Sequence, residues 1–309
     1  MGEKYDTIIV TGPTASGKTA VAATLASAIG GEVISADSRQ VYRGMDIGTG
    51  KDYDDYIVNG KKIPAHLIDI VDAGYRYNVF EYQRDFQRVY EEMLKRNVAP
   101  VVCGGSGMYL DSIVSGYRLL PVPVNNELRR SLEGKRLDEL KEILECYRDL
   151  HNETDIDNAK RAIRAIEIEL YYSTRPPDEV SFPEIKPLIV GILYGRDERR
   201  NRISERLKER LKSGMIEEVE TLLASGVTEE SLLYYGLEYR YIVRHLKEEL
   251  SYEEMYKGLE TAIHQFGKRQ MTWFRGMERK GIKINWINGN LPLEEKVKVI
   301  LKMYSEPTA

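Results

Sequence analysis

The sequence predicts an α/β fold, with a parallel sheet carrying helices on both faces and an all-helical insertion within it. Three observations lead there. Short β-branched runs alternate with helical stretches in the first third of the chain, the pattern of parallel strands joined by crossover helices. A Gly-rich loop lies between the first strand and the first helix. After Pro121 and Pro123 the pattern changes to helix alone, and a β-rich apolar run returns only at Leu188–Leu193.

In order along the chain, Thr7–Val10 is a β-branched strand, Gly12–Thr19 the loop, and Ala20–Ile29 an Ala-rich helix. Glu32–Ser35 is a second strand that runs out to Asp37, and Leu67–Ile70 is a candidate third. Phe80–Arg96 is an amphipathic helix with Phe86, Val89, Tyr90, Met93 and Leu94 on one face. Val98–Cys103 is a buried strand closed by Gly104, Gly105 and Gly107. Helices then run to about Tyr172, and Pro176, Pro177, Pro183 and Pro187 close that stretch. The expected organisation is a core of residues 1–116 and 186–309 with a helical insertion at 117–185. Helices dominate again from Asp197 to Phe274, with no internal repeat or low-complexity tract.

The chain has 309 residues, enough for one large domain or a core with an inserted module. With 42% hydrophobic and 30% charged residues, a soluble globular protein is expected. No apolar run approaches the roughly 18 residues of a membrane span. The N-terminal MGEKYDTIIV lacks the long apolar stretch of a signal peptide. Cys103 and Cys146 form neither a disulfide framework nor a metal-binding spacing, so a reducing compartment, the cytoplasm, is expected. Tyrosine, at 21 against 5 phenylalanines, suits wet binding surfaces. The net charge of −4 does not mark a nucleic-acid binder, but the basic residues cluster in Ala159–Arg164, Arg196–Lys212 and His264–Lys283.

Gly12-Pro13-Thr14-Ala15-Ser16-Gly17-Lys18-Thr19 matches G-x-x-x-x-G-K-S/T, the phosphate-binding P-loop. Its glycines let backbone N–H groups turn towards phosphate oxygens, Lys18 adds a point charge, and the Thr19 hydroxyl is placed to hold Mg²⁺. The helix that follows directs its positive end at the anion. The motif does not say which phosphate compound binds. An ATPase also needs an apolar strand ending in a metal-binding aspartate. Here only His66-Leu67-Ile68-Asp69 offers one, with a histidine where an apolar residue belongs.

Asp37 lies just past the carboxyl end of the second strand, the edge at which open α/β sheets bind ligands. A carboxylate there can ligate a metal or accept a proton; position alone leaves open that it caps a following helix. Arg199, Arg202, Arg206 and Arg210 lie near one helical face opposite Ile203, Leu207 and Leu211. For Arg210 the preferred reading is a solvated helix face. Lys160, Arg161 and Arg164 share a helix, with Lys160 and Arg164 on one face, a pattern that suits RNA phosphates. Lys268, Thr272 and Arg275 recur at i, i+4 and i+7, with Trp273 and Phe274 interleaved, which suits unstacked bases. Trp273 is at least as well explained as a core anchor.

Taken together, Gly12–Thr19, residues 36–51 (Ala-Asp-Ser-Arg-Gln-Val-Tyr-Arg-Gly-Met-Asp-Ile-Gly-Thr-Gly-Lys), His66–Asp69, the neighbourhood of Phe80, Gln83 and Phe86, Gly104–Tyr109 and Lys268–Arg275 resemble the bacterial tRNA dimethylallyltransferases, also called tRNA isopentenyltransferases. These motifs span nearly the whole chain and are highly specific in combination. The resemblance implies a P-loop nucleotide-kinase-like core and transfer of a dimethylallyl group from dimethylallyl diphosphate to N6 of the adenine 3′ of the anticodon.

By the same resemblance, Gly12–Thr19 hold the diphosphate, with Mg²⁺ near Thr19, and Asp37 is the general base. Ser106 stands where the family usually has threonine beside the reacting centre. Arg202, on its helix, reaches the diphosphate. Asp37, Ser38, Arg39 and Gln40 lie where the flipped adenine lands. Lys160, Arg161, Arg164, Lys268, Arg269, Thr272 and Arg275 hold the tRNA anticodon stem-loop. Leu233–Arg240 follows the family's Gly-Tyr-Arg/Lys motif only loosely, with two residues added after the glycine. A monomer is expected. Two rival readings share the P-loop: prenyl transfer to free adenine nucleotides, and an ATP-dependent small-molecule kinase.

Overall fold

The structure, a computed structural model, describes residues 5–117, 119–147, 156–174 and 182–306. Pro176 and Pro177 lie outside the described residues. The chain divides into two compact units, one of Met1–Tyr117 with Pro183–Ala309 and one of Arg118–Phe182.

The larger unit begins with β1 (Thr7–Thr11), α1 (Lys18–Ile29) and β2 (Gly31–Ser35). Three two-residue strands follow: β3 (Ile57–Val58), β4 (Lys61–Lys62) and β5 (Ala65–His66). Then come α2 (Val79–Lys95), β6 (Ala99–Cys103) and α3 (Gly107–Val114). The smaller unit holds α4 (Asn126–Leu132), α5 (Leu137–Glu145) and α6 (Ala159–Ser173). Its core is Leu132, Leu140, Leu144, Ala162, Ala165 and Ile166. The larger unit resumes with β7 (Pro187–Leu193), α7 (Arg196–Lys212), α8 (Met215–Ala224), α9 (Glu229–Tyr235), α10 (Leu237–Leu246) and α11 (Tyr252–Arg279). It closes with β8 (Asn285–Asn288) and α12 (Leu293–Ser305).

Six strands form one parallel sheet in the order β5-β2-β6-β1-β7-β8. β1 is central, and its apolar residues are buried on both faces, as a parallel sheet requires. Ile8 and Val10 pack with Val21, Leu25 and Ala26 of α1 and with Val297 and Ile300 of α12. On the other face, Thr7 donates a hydrogen bond to Tyr90 of α2 at 3.4 Å. A capping box at Asn78 starts α2: its side chain accepts from the Glu81 N–H while the Glu81 carboxylate accepts from the Asn78 N–H.

The candidate strand Leu67–Ile70 does not form. Pairing beside β2 stops at His66, because Leu67 (φ 60°) and Asp69 (φ 54°) adopt left-handed backbone that no extended strand tolerates. In the other direction, β8 is a strand the sequence did not announce, four residues long with asparagine at each end.

Candidate active site

The loop after β1 is shaped for an anion. Gly12 has φ 148°, and a Cβ there would lie 2.6 Å from the Ile192 carbonyl of neighbouring β7, so only glycine fits. Ala15 (φ 62°) and Gly17 (φ 71°) are also left-handed. α1 starts at Lys18 with Gly17 as its N-cap, so no side chain claims the first-turn N–H groups. The Ser16 hydroxyl is buried with no partner among the described residues. Burial holds the Lys18 ammonium pKa below its usual value, and Cys103 and Asp37 nearby oppose that shift. A concave set of donors around a desolvated cation binds a phosphate or diphosphate well.

α7 supplies two arginines to this loop and a third, Arg210, one turn further along. Arg202 donates from Nε to the Ala15 carbonyl at 3.1 Å, and its guanidinium lies 4.4 Å from the Tyr194 ring centre. Arg206 donates to the Thr14 hydroxyl. Burial first, and the charge of Arg210 second, push Arg206 down to about 9. Arg210 is not on a solvated face, contrary to the sequence reading. Its side chain is 13% exposed, its Nη2 has no hydrogen-bond partner among the described residues, and Asp52 is 3.9 Å away. Gly50 makes this possible, since a Cβ there would fall 1.9 Å from Arg210 Nη2.

Beyond β2 the chain makes a turn rather than a helix, so Asp37 is no helix cap. Asp37 Oδ1 accepts from the Arg39 N–H at 3.0 Å. Ser106, at the start of α3, makes no cap bond; its Oγ accepts from the Ser38 N–H at 2.9 Å and donates to Ser38 Oγ at 3.2 Å. The hydroxyl thus braces the Asp37 turn. Gln40 is held at both ends of its amide, donating to the Gly50 carbonyl at 2.9 Å and accepting from Ser35 Oγ at 3.2 Å.

The rest of the residue 36–51 motif is architecture. The Glu218 carboxylate of α8 accepts from the N–H groups of Asp46 (2.8 Å), Ile47 (2.6 Å) and Gly48 (3.0 Å), and from Tyr239 Oη at 2.8 Å. Lys51 is buried and donates to the Tyr42 carbonyl (2.6 Å), Asp46 (2.8 Å) and Asp69. Tyr53 donates to the other Asp69 oxygen at 2.5 Å. Both Asp69 oxygens are therefore engaged within this network.

The sequence assigned no role to Gln270, yet it joins two parts of the site. It is 8% exposed on α11, accepts from the Thr14 N–H at 2.8 Å and donates to the Gly105 carbonyl at 2.9 Å. The available signal was a glutamine at a helical position otherwise filled by the buried Gly267, Met271, Phe274 and Met277.

Lys268, Arg269, Thr272 and Arg275 are exposed on α11. Thr272 spends its hydroxyl on the Lys268 carbonyl, 3.1 Å away. Trp273 packs on Gly107, where a Cβ would come within 2.3 Å of the indole, so it anchors α11 to α3. In the smaller unit Lys160 is exposed, and Arg161 pairs with Asp157 at 2.5 Å. Acids engage two of the basic residues of α6. Arg164 is committed to Glu167 and to the Val122 carbonyl at 2.9 Å. Glu167, with its side chain 1% exposed, also holds Arg129 at 2.8 Å. Arg164 is therefore an internal strut of this unit, and only its remaining surface is open to a ligand.

Among the described residues no group of three or more His, Cys, Asp or Glu side chains could hold a metal. Mg²⁺ bound with a diphosphate needs fewer, because it keeps waters and takes phosphate oxygens. The open α1 terminus with Thr19 in its first turn fits that arrangement. No helix among the described residues is long and apolar enough to cross a membrane.

Residues 40–277 match the sequence profile described as IPP transferase. A tRNA dimethylallyltransferase of Bacteroides fragilis is 57% identical over 98% of this chain and 99% of its own length. One of Parabacteroides distasonis is 58% identical over 97% and 98%. Among solved structures, the tRNA isopentenylpyrophosphate transferase of Bacillus halodurans superposes with a TM-score of 0.69 at 27% identity, covering 97% of this chain and 95% of that one. A eukaryotic dimethylallyltransferase acting on tRNA shares the fold at a TM-score of 0.75 and 21% identity, over 92% of this chain and 74% of that one.

Proposed function

The chain belongs to the IPP transferase family and is a tRNA prenyltransferase; from that premise we propose that its donor is dimethylallyl diphosphate and its acceptor is N6 of the adenine 3′ of the anticodon. The observation that carries this reading is the closeness of base and cradle. The glycine turn after β6 ties the two together: the Gly104 N–H donates to the Val10 carbonyl at 3.2 Å, at the entry to the P-loop, and the Ser106 N–H donates to the Ala36 carbonyl at 3.2 Å, next to Asp37. A proton acceptor at the mouth of a diphosphate site suits attack by an amine on the carbon next to the leaving oxygen.

In this reading Gly12–Thr19, Arg202 and Arg206 bind the diphosphate, and Arg202 also fixes the loop by its Nε bond to the Ala15 carbonyl. The N6 lone pair forms the new C–N bond as the allylic C–O bond breaks, and that electron pair leaves on the diphosphate. Asp37 takes the proton released from N6, a role that typically contributes about 10²–10⁴-fold in rate. Negative charge grows on the leaving group, where Lys18, Arg206 and the α1 terminus stand ready. Mg²⁺, held by Thr19 and diphosphate oxygens, would neutralise part of that charge when bound. Ser106 and Gln40 hold the turn on which the adenine rests. Lys160, Arg161, Lys268, Arg269 and Arg275 supply RNA phosphate contacts. The protein works as a monomer in the cytoplasm, where tRNA is found.

The test is Asp37→Asn, assayed for tRNA binding and for prenyl transfer. Binding is expected to persist while transfer falls at least a hundredfold, and wild-type turnover would remove Asp37 as the base.

A further inference from the structure

Two adjacent tyrosines at the end of α9 are used in opposite ways. Tyr235 is fully buried, its ring 4.3 Å from that of Tyr42. Its hydroxyl donates to the Tyr75 carbonyl at 2.7 Å and accepts from the Gly74 N–H at 2.5 Å. Tyr234 is turned out and 47% exposed. A single exposed aromatic needs no explanation, but this one is attended by two cations. The guanidinium carbons of Arg39 and Arg76 lie 5.6 Å and 5.3 Å from its ring centre, and Arg76 is also paired with the exposed Glu230 at 2.6 Å. Arg39 also donates from Nη2 to the Tyr234 carbonyl at 3.4 Å.

This cluster is joined to the reacting centre. Arg39 gives its backbone N–H to Asp37 Oδ1 at 3.0 Å and its guanidinium to Tyr234, so one residue links the base to the exposed ring. Tyr234 also falls in Leu233–Arg240, where this chain departs from the Gly-Tyr-Arg/Lys pattern. Tyr235, locked in the core, fixes the backbone that presents Tyr234. An exposed ring with arginines around it is the surface on which unpaired bases stack while the cations meet phosphate or base edges.

We propose that Tyr234, with Arg39 and Arg76, is a stacking platform for an unpaired RNA base next to the adenine presented to Asp37. Resting on the proposed function, it extends the RNA contacts beyond the basic helices. An enzyme that extracts one base from a loop leaves the neighbouring bases unstacked, and a ring beside the turn compensates them.

The experiment measures affinity for an anticodon stem-loop RNA by fluorescence anisotropy, and KM for RNA and for dimethylallyl diphosphate, in wild type, Tyr234→Ala, Tyr234→Phe and Tyr234→Trp. In Tyr234→Ala, Kd and KM for RNA are expected to rise about 5- to 150-fold, the range found for losing one stacked base. KM for the donor and the thermal midpoint should stay at wild-type values, and Phe and Trp should restore RNA binding. Unchanged RNA affinity in Tyr234→Ala overturns the platform, as does a Phe variant as weak as Ala. If wild type binds the RNA but transfers nothing to it, the functional reading fails while the anisotropy series still decides the platform. If wild type does not bind the RNA, both fall.

Discussion

Replacing Gln270 with leucine removes both halves of the bridge between the P-loop and the glycine turn after β6. The Thr14 N–H loses an acceptor at 2.8 Å and the Gly105 carbonyl loses a donor at 2.9 Å. Because Gln270 is 8% exposed, water does not readily replace it. Each polar group left without a partner costs about 1–3 kcal/mol, and the leucine's apolar contacts offset part of the sum. A loss of about 2–4 kcal/mol in folding stability is expected, with a raised KM for the diphosphate donor because Thr14 is no longer held. Gln270→Glu separates the halves: it keeps an acceptor for Thr14 but sets a carboxylate oxygen against the Gly105 carbonyl, and it adds negative charge beside the cradle. Its KM for the donor should exceed that of the leucine variant. Urea unfolding followed by tryptophan fluorescence reads the larger unit alone, since Trp273 and Trp286 both lie in it. Wild-type stability and donor KM in Gln270→Leu would refute the reasoning.

Other outcomes follow from the same contacts. Glu32 is held down to about 2, chiefly by its hydrogen bonds to Arg96, with His66 adding to them. A depressed carboxylate pKa stabilises the fold above its unfolded value of about 4.5 and stops doing so as pH falls towards 2, so the acid-induced loss in that window should be shallower in Glu32→Gln, measured by denaturation across pH. Burial pushes the Cys103 thiol up to about 12, whereas Cys146 is exposed; iodoacetamide at pH 8 should modify Cys146 and spare Cys103 in the native protein, read by peptide mass mapping. Glu167→Gln leaves Arg129 and Arg164 without their shared carboxylate; allowing for the partial exposure of both arginines, about 1–2 kcal/mol should be lost from the smaller unit, visible as faster hydrogen exchange in α6.

What the sequence disclosed was what is local. Gly12–Thr19 carries its own geometry, because the left-handed glycines and the helix start belong to one short segment. Asp37 was found from its position at a strand end, and its alternative as a helix cap fell only when the chain was seen to turn there. The Leu67–Ile70 strand was misjudged because hydrophobic pattern says nothing about the positive φ of Leu67 and Asp69. Gln270 was passed over because its partners, Thr14 and Gly105, are far away in sequence. Arg210 reads as a surface residue in one dimension; what buries it is Gly50, which is small enough to admit its guanidinium. The acid that claims Arg164 sits one turn along the same helix, and Glu167 looks like any other helical glutamate until Arg129 of α4 closes on it.

The central claim is that the P-loop holds a leaving diphosphate while an adenine of tRNA is prenylated. It is tested most directly by incubating the protein with Mg²⁺, allyl-labelled dimethylallyl diphosphate, and either unmodified tRNA or AMP. Label is expected in tRNA alone, at the adenine 3′ of the anticodon, with one diphosphate released per transfer. Label in AMP alone, or in neither acceptor, would contradict it.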